Sequence, residues 1–296
     1  MMRDAVREFE PAPIPTYSGM VARRLRTNWV LWASSLIVAG LIGVALAAPW
    51  VAPFPPLQPD VPNRLQPPSW RHWFGTDALG RDVFSRVLYG SRISLGIVFL
   101  ILGMAVPVGT ALGAAAGYQG GRFDALMARV TDMFFAFPAL VLAMAINAAL
   151  GPSIVNTTIA VAAVWWPSYM RLMRGQVLAV RQQPYVEAAR ALGAGHWRIL
   201  ARHILPNAAP PLVAKVTTDM GHVLLTAAGL SFIGLGVQPP TPEWGAMIAD
   251  GRTYMLDYWW YATFPGLAIA VTVVAFAFLG DSLQEALDPS FNRRVG

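Results

Sequence analysis

Tyr185-Val186-Glu187-Ala188-Ala189-Arg190-Ala191-Leu192-Gly193, running on to His203-Ile204-Leu205-Pro206-Asn207, is a short polar insert between two long apolar runs. Pro184 opens a helix at no cost, because the first turn has no use for its missing N–H. Gly193 and Gly195 supply a stop. In the second piece Trp197, Leu200, Ala201 and Ile204 recur at i, i+3, i+4 and i+7 as one apolar stripe, with Arg198 and Arg202 one turn apart elsewhere. The pattern predicts two short helices joined at a glycine elbow, held at a membrane surface as a docking element for another protein.

The flanking runs set the fold class. Of 296 residues, 55% are hydrophobic and 13% charged, against a soluble norm of about 25% charged. A bilayer core needs about 20 apolar helical residues, and six runs qualify: Trp29–Trp50, Ile93–Tyr118, Phe134–Leu150, Ile154–Met170, Leu212–Leu235 and Trp259–Leu279. The third and fourth are separated only by Gly151-Pro152-Ser153 and read as a hairpin. The expected fold is an all-α integral membrane protein with six transmembrane helices.

Ala45-Leu46-Ala47 resembles a signal-cleavage site, but the apolar run is too long for a signal core and 28 residues precede it, so an uncleaved first helix is expected. With the N-terminus inside, 15 of the 22 basic residues fall on the inner side and six outside. The positive-inside bias therefore puts both termini of a multi-pass membrane protein in the cytoplasm. The divisions are a tail at 1–28, a transmembrane body at 29–281 and a tail at 282–296. The body has outer loops at 51–92 and 236–258 and an inner loop at 171–207. Tyr258 to Tyr261 form an aromatic anchor at the outer boundary. The net charge of +6 reads as topological, with attraction to membrane lipid, and calls for no nucleic acid.

Residues 51–75, rich in proline and aromatics, predict an irregular outer loop. From Thr76 to Arg92 helical spacing of Leu79, Val83, Val87 and Leu88 predicts a helix along the outer face. Gly109, Gly113 and Gly117 repeat at the spacing that lets a neighbouring helix approach closely. The proline-rich Gln238–Gly245 segment is expected to fold back toward the mouth of the pathway.

Catalytic chemistry is not expected. The four histidines are scattered, cysteine is absent, and the single lysine, Lys215, lacks the glycines of a phosphate-binding loop. No cofactor or metal is expected in this chain. Lys215, Asp219 and His222 share a helix face within the fifth run, as an intramembrane pair or a pathway lining, with pairing the better reading. Asn147, Asn156, Thr157 and Thr158 read as cross-helix hydrogen-bonders.

Glu187-Ala188-Ala189, Gly193 and Leu205-Pro206 resemble the EAA loop of permease subunits in ABC importers. Phe74-Gly75-Thr76-Asp77-Ala78-Leu79-Gly80-Arg81-Asp82-Val83, Gly234-Leu235-Gly236-Val237-Gln238-Pro239-Pro240 and Leu287-Asp288-Pro289 are similar to the C-type permease of dipeptide, oligopeptide and nickel importers. The resemblance runs from about Trp29 to Asn292. It implies that Tyr185, Glu187, Ala188, Ala189, Arg190, Gly193, Leu205 and Pro206 form a cytoplasmic two-helix coupling loop seated on ATPase subunits, which bind the ATP and Mg. It also implies a B-type permease partner and an extracytoplasmic substrate-binding protein. Where many relatives have glutamate before Leu-Ser-Phe, this chain has Ala227, so that carboxylate's role does not transfer. The resemblance implies a non-catalytic permease subunit for short peptides in the bacterial inner membrane. Beside it stand a nickel or other small-solute importer permease and, from a different class, a proton-coupled secondary carrier acting alone.

Overall fold

A computed structural model describes residues 25–287. Readings on residues 1–24 and 288–296, which include most of the N-terminal tail, Asp288-Pro289, Arg293 and Arg294, lie outside the described residues. Among the described residues every regular element is helical, apart from one isolated bridge between Thr76 and Asp82.

Helix α1 (Trp29–Val51) starts where the Asn28 side chain accepts the Leu31 N–H at 3.1 Å. Its 23 residues reach about 35 Å at 1.5 Å per residue, enough for a hydrocarbon core of about 30 Å. Helix α2 (Val83–Gln119) starts where Asp82 Oδ2 accepts the Ser85 N–H at 2.7 Å, and its 37 residues run about 55 Å without a break.

Of the helix expected from Thr76 to Arg92, only Val83 onward is helical, and it runs unbroken into α2 rather than standing apart from it. Gly75 and Gly80 sit at φ +72° and +78°, outside helical space. Asp77 Oδ1 accepts the N–H groups of both Leu79 and Arg81, closing a turn instead. Arg81 Nε is 2.6 Å from Asp77 Oδ2, and Arg86 Nη1 donates to the Pro56 and Pro240 carbonyls at 3.0 and 3.4 Å. Burial pushes the nearby Asp250 carboxyl up, while Arg86 and Arg81 pull it down.

The glycine seam forms as read. Gly109, Gly113 and Gly117 lie against helix α5 (Ile154–Val180), where a Cβ at Gly117 would stand 2.8 Å from the Arg174 carbonyl oxygen. Between them, the expected third span at Phe134–Leu150 becomes two helices, α3 (Gly121–Phe135) and α4 (Ala139–Leu150), bent by 88°. Pro138 drives the preceding backbone out of the helical region. Helix α3 is fastened to α5 by two ion pairs, Asp124 with Arg174 and Asp132 with Arg171, the latter at 2.6 Å. The hairpin between α4 and α5 is present, and Asn147 Nδ2 donates to Thr157 Oγ1 at 3.1 Å and to the Leu235 carbonyl at 2.7 Å. Asn156 caps the turn and Thr158 bonds within its own helix, so only part of that polar set crosses between elements.

Four short helical pieces follow: α6 (Pro184–Ala191), α7 (His196–Ile199), a π-turn at Leu200–Ile204 and α8 (Leu205–Ala208). Then come α9 (Pro210–Phe232), α10 (Trp244–Gly251) and α11 (Trp260–Leu287). Helix α10, unforeseen in the proline-rich stretch, folds back onto the bundle. Glu243 caps it by accepting the Gly245 and Ala246 N–H groups at 3.0 and 2.8 Å, and Ser94 Oγ of α2 donates to the same carboxylate at 3.2 Å. Trp244 Nε1 donates to the Val87 carbonyl at 3.0 Å, its ring resting on Gly90. Glu243→Ala is expected to destabilise the protein by about 2 kcal/mol, through the lost cap and the lost acceptor for the Ser94 hydroxyl proton. Thermal unfolding in detergent reads this as a lower Tm; an unchanged Tm would remove the cap from the packing.

Helices α1, α2 and α11 are long and apolar enough to cross a membrane, and the bent pair α3–α4 makes a fourth candidate. Helices α5 and α9, of 27 and 23 residues, have spanning length but carry Arg171 with Arg174 and Lys215 with Asp219.

Candidate functional site

The elbow between α5 and α9 is built from Pro184 onward. The Gln183 carbonyl accepts the Val186 N–H at 2.9 Å, with Pro184 in the first helical position. At the far end Gly193 takes φ +80°, its N–H donating to the Arg190 carbonyl at 3.0 Å, and the Ala194 N–H donates to the Ala189 carbonyl at 3.1 Å. This left-handed stop leaves Leu192 at the crest, 89% exposed.

Here the expected stripe is corrected. Ile199 and Ile204 are buried, Leu200 is half-buried, and Trp197 and Ala201 face outward, Trp197 being 77% exposed. The π-turn is the reason. The Leu205 N–H bonds the Leu200 carbonyl five residues back, so residues five apart share a face. Val186, Ile199, Ile204 and Ala208 thus form a keel against Met173 and Val177 of α5 and Ala114 of α2.

Polar contacts fix the elbow to the bundle. Arg181 Nη1 donates to the Gly117 and Tyr118 carbonyls at 2.8 and 3.3 Å, satisfying the end of α2. Tyr118 Oη and His196 Nδ1 are 2.9 Å apart, and Tyr185 Oη donates to the His203 carbonyl at 3.4 Å. A groove of ≈ 1090 Å³ lies between α2 and the elbow, lined by Ala111, Tyr118, Glu187, Arg190, Trp197 and Leu205 among others.

Of the sequence-derived residues, Tyr185, Glu187, Ala188, Arg190, Gly193 and Pro206 are exposed, while Ala189 and Leu205 are half-buried. Glu187, Arg190 and Leu205 come together on the lining of that groove. Lys215 and Asp219 do pair, Nζ to Oδ2 at 2.9 Å, with Lys215 Nζ 5.4 Å from the centre of the Tyr169 ring. His222 is exposed and not part of that pair. Sequence reasoning missed Arg181, Tyr118 and Ile199. The five-residue spacing of Ile199 and Ile204 was the one signal present, and it points to a π-turn only when such a turn is sought.

The long apolar helices define a multi-pass membrane protein. Residues 109–293 match the family model described as the binding-protein-dependent transport system inner membrane component, and residues 16–68 match the N-terminal TM domain of oligopeptide transport permease C. The probable D,D-dipeptide transport system permease protein DdpC of Escherichia coli (strain K12) is 47% identical over 267 residues, covering 88% of this chain and 90% of that protein. The dipeptide transport system permease protein DppC of Alkalihalophilus pseudofirmus is 42% identical, with 90% and 88% covered. The glutathione transport system permease protein GsiD of Escherichia coli O157:H7 is 47% identical over 270 residues, with 90% and 88% covered. Among solved structures, an inward-facing form of the MetNI methionine ABC transporter has a similar fold, with a TM-score of 0.50 at 17% identity, covering 69% of this chain and 96% of that one. The chain therefore belongs to the family of binding-protein-dependent transport inner-membrane components, and within it to the C-type peptide permeases. Subunits of this family are permeases without catalytic activity of their own.

Proposed function

We propose that the chain forms half of the pathway of an ATP-driven importer for short peptides, moved by separate ATPase subunits that dock on the elbow. On this reading α1, α2, the broken pair α3–α4, α5, α9 and α11 are six spans with both termini in the cytoplasm. The divisions stay as read: tails at 1–28 and 282–296, outer loops at 51–92 and 236–258, inner loop at 171–207. A B-type permease completes the pathway and a substrate-binding protein meets the outer loops, while ATP and Mg bind to the ATPase partners alone. The peptide substrate is supported by relatives named for dipeptide, D,D-dipeptide and glutathione transport.

The observation that carries the reading is the two-sided elbow. Val186, Ile199 and Ile204 are locked into the bundle while Tyr185, Leu192 and Trp197 stand 44%, 89% and 77% exposed. Large apolar side chains clustered in water mark a contact surface, and a rigid base lets force applied there reach α5 and α9 without loss in a flexible linker. Lys215 and Asp219 serve as a structural pair between α9 and Tyr169 rather than as a substrate site, and His222 remains the candidate for the pathway face.

The chain contains no cysteine, so Leu192→Cys carries a unique thiol. In the assembled complex a short bifunctional reagent is expected to join that thiol to an ATPase subunit, and to leave the thiol of Leu256→Cys, on the other side, unjoined. Failure of the Leu192→Cys variant to join any ATPase subunit would sink the docking assignment.

A further inference from the structure

The loop between α1 and α2 carries a second exposed apolar feature, unrelated to the elbow. Trp70 is 97% exposed and Trp73 59%, with Arg71 between them also exposed. They are not on a loose strand. Ser69 and His72 close a tight turn, the Ser69 N–H donating to the His72 carbonyl at 2.8 Å and the His72 N–H to Ser69 Oγ at 3.1 Å. His72 is buried, its Nδ1 2.9 Å from Asp82 Oδ1, beside the cap of α2. The turn therefore holds Trp70 and Arg71 out at a fixed tip.

From that tip a chain of ring contacts leads to a membrane-crossing helix. Trp73 lies 4.9 Å from Phe84, Phe84 4.9 Å from Phe74, Phe74 stacks on Phe264 at 3.9 Å, and Phe264 lies 5.9 Å from Trp259. Phe264 is in the first turns of α11, and Trp259, 51% exposed, immediately precedes that helix. Trp50, in the last turn of α1, is 84% exposed. On the topology reading Trp50 and Trp259 mark the outer ends of two apolar helices, and the tip is joined by ring contacts to Trp259. Tryptophan favours the headgroup zone because its ring body is apolar and its N–H needs a polar partner. A guanidinium beside it matches phosphate oxygens.

We propose that the Ser69–Trp73 tip rests on the outer leaflet, with Trp70 and Trp73 among phospholipid headgroups and Arg71 at a lipid phosphate. This rests on the reading that loop 51–92 is extracytoplasmic. The loop is then not a free arm but a strut, tied to the bilayer at its tip and to α2 at Asp82. Nothing in that arrangement needs the second permease or the binding protein to order it.

The test uses Trp70→Cys and, separately, Trp73→Cys, each bearing one nitroxide, in the assembled transporter in phospholipid liposomes. Arg64→Cys, exposed on the same loop away from the rings, gives the aqueous reference. Collisional relaxation by oxygen, which concentrates in lipid, is expected to exceed that by a water-soluble nickel chelate at 70 and 73, and to fall below it at 64. Adding the binding protein is expected to change neither 70 nor 73. Chelate access at 70 equal to that at 64 would overturn the proposal. If the binding protein then shields the label, the tip is its docking surface instead. Low access to both reagents in the transporter alone would also overturn it, and would mean that the second permease covers the tip. In right-side-out vesicles an impermeant reductant added outside reports sidedness separately. A lipid-exposed label reducible only from within would sink the topology reading while leaving lipid contact standing.

Discussion

Gly113→Leu is expected to abolish recovery of folded permease from detergent extracts. A Cβ at Gly113 would run into the Met170 carbonyl oxygen, and would stand 3.0 Å from Met173 Cβ and 3.1 Å from the Arg174 backbone nitrogen. Two of those three obstacles are backbone of α5, so no side-chain rotation relieves the clash and the helices must part. Parting them opens the interface that buries Tyr169, Met170, Met173 and Val177. Overpacking costs about 1–3 kcal/mol at an ordinary core site; at a backbone-to-backbone crossing the leucine adds lost contacts along the whole seam. Gly103→Leu is the matched comparison, since nothing lies within 4 Å of a Cβ there. Equal yield and equal Tm for the two variants would show that α2 and α5 do not need glycine to meet.

Gly193→Val and Glu187→Lys are expected to leave the assembled complex intact and to reduce ATP hydrolysis stimulated by the binding protein to its basal level. Space is no obstacle at Gly193, where nothing lies within 4 Å of a Cβ; the constraint is φ +80°, which a β-branched residue strongly resists. The strain falls on the stop that aims Leu192, not on the buried keel, so assembly and transmission separate. Glu187 is exposed, and reversing its charge alters the docking surface without touching packing. Gly193→Asn, which tolerates left-handed backbone, is expected to retain most of the stimulation. Normal stimulation in Gly193→Val and Glu187→Lys would take the elbow out of the coupling path.

Much of this architecture was legible in the chain. Long apolar runs located α1, the lower part of α2 and α11, and the four-residue spacing of Gly109, Gly113 and Gly117 announced the seam. Legibility failed where partners are remote in sequence. The charges of α3 mask its helix in a hydropathy reading, and their partners Arg171 and Arg174 lie 39 and 50 residues away from Asp132 and Asp124. Glu243 and Ser94 are 149 apart. It also failed where one local signal mimics another. Asp77 and Arg81, four apart, look like a helical pair, yet Gly75 and Gly80 turn the same spacing into a tight loop. At the elbow the motif picked out residues that are mostly exposed, but the buried set was misassigned, because a 3.6-residue period was assumed across a π-turn.

Helix α2 is tied at one end through Asp82, Arg86 and Ser94, and at the other through the carbonyls that Arg181 holds and the Tyr118–His196 contact. The outer-loop contacts and the elbow contacts are therefore tied to a single helix about 55 Å long. A tilt of this one helix would carry both ties with it, and Pro107 within it is the place where the two ends could part company.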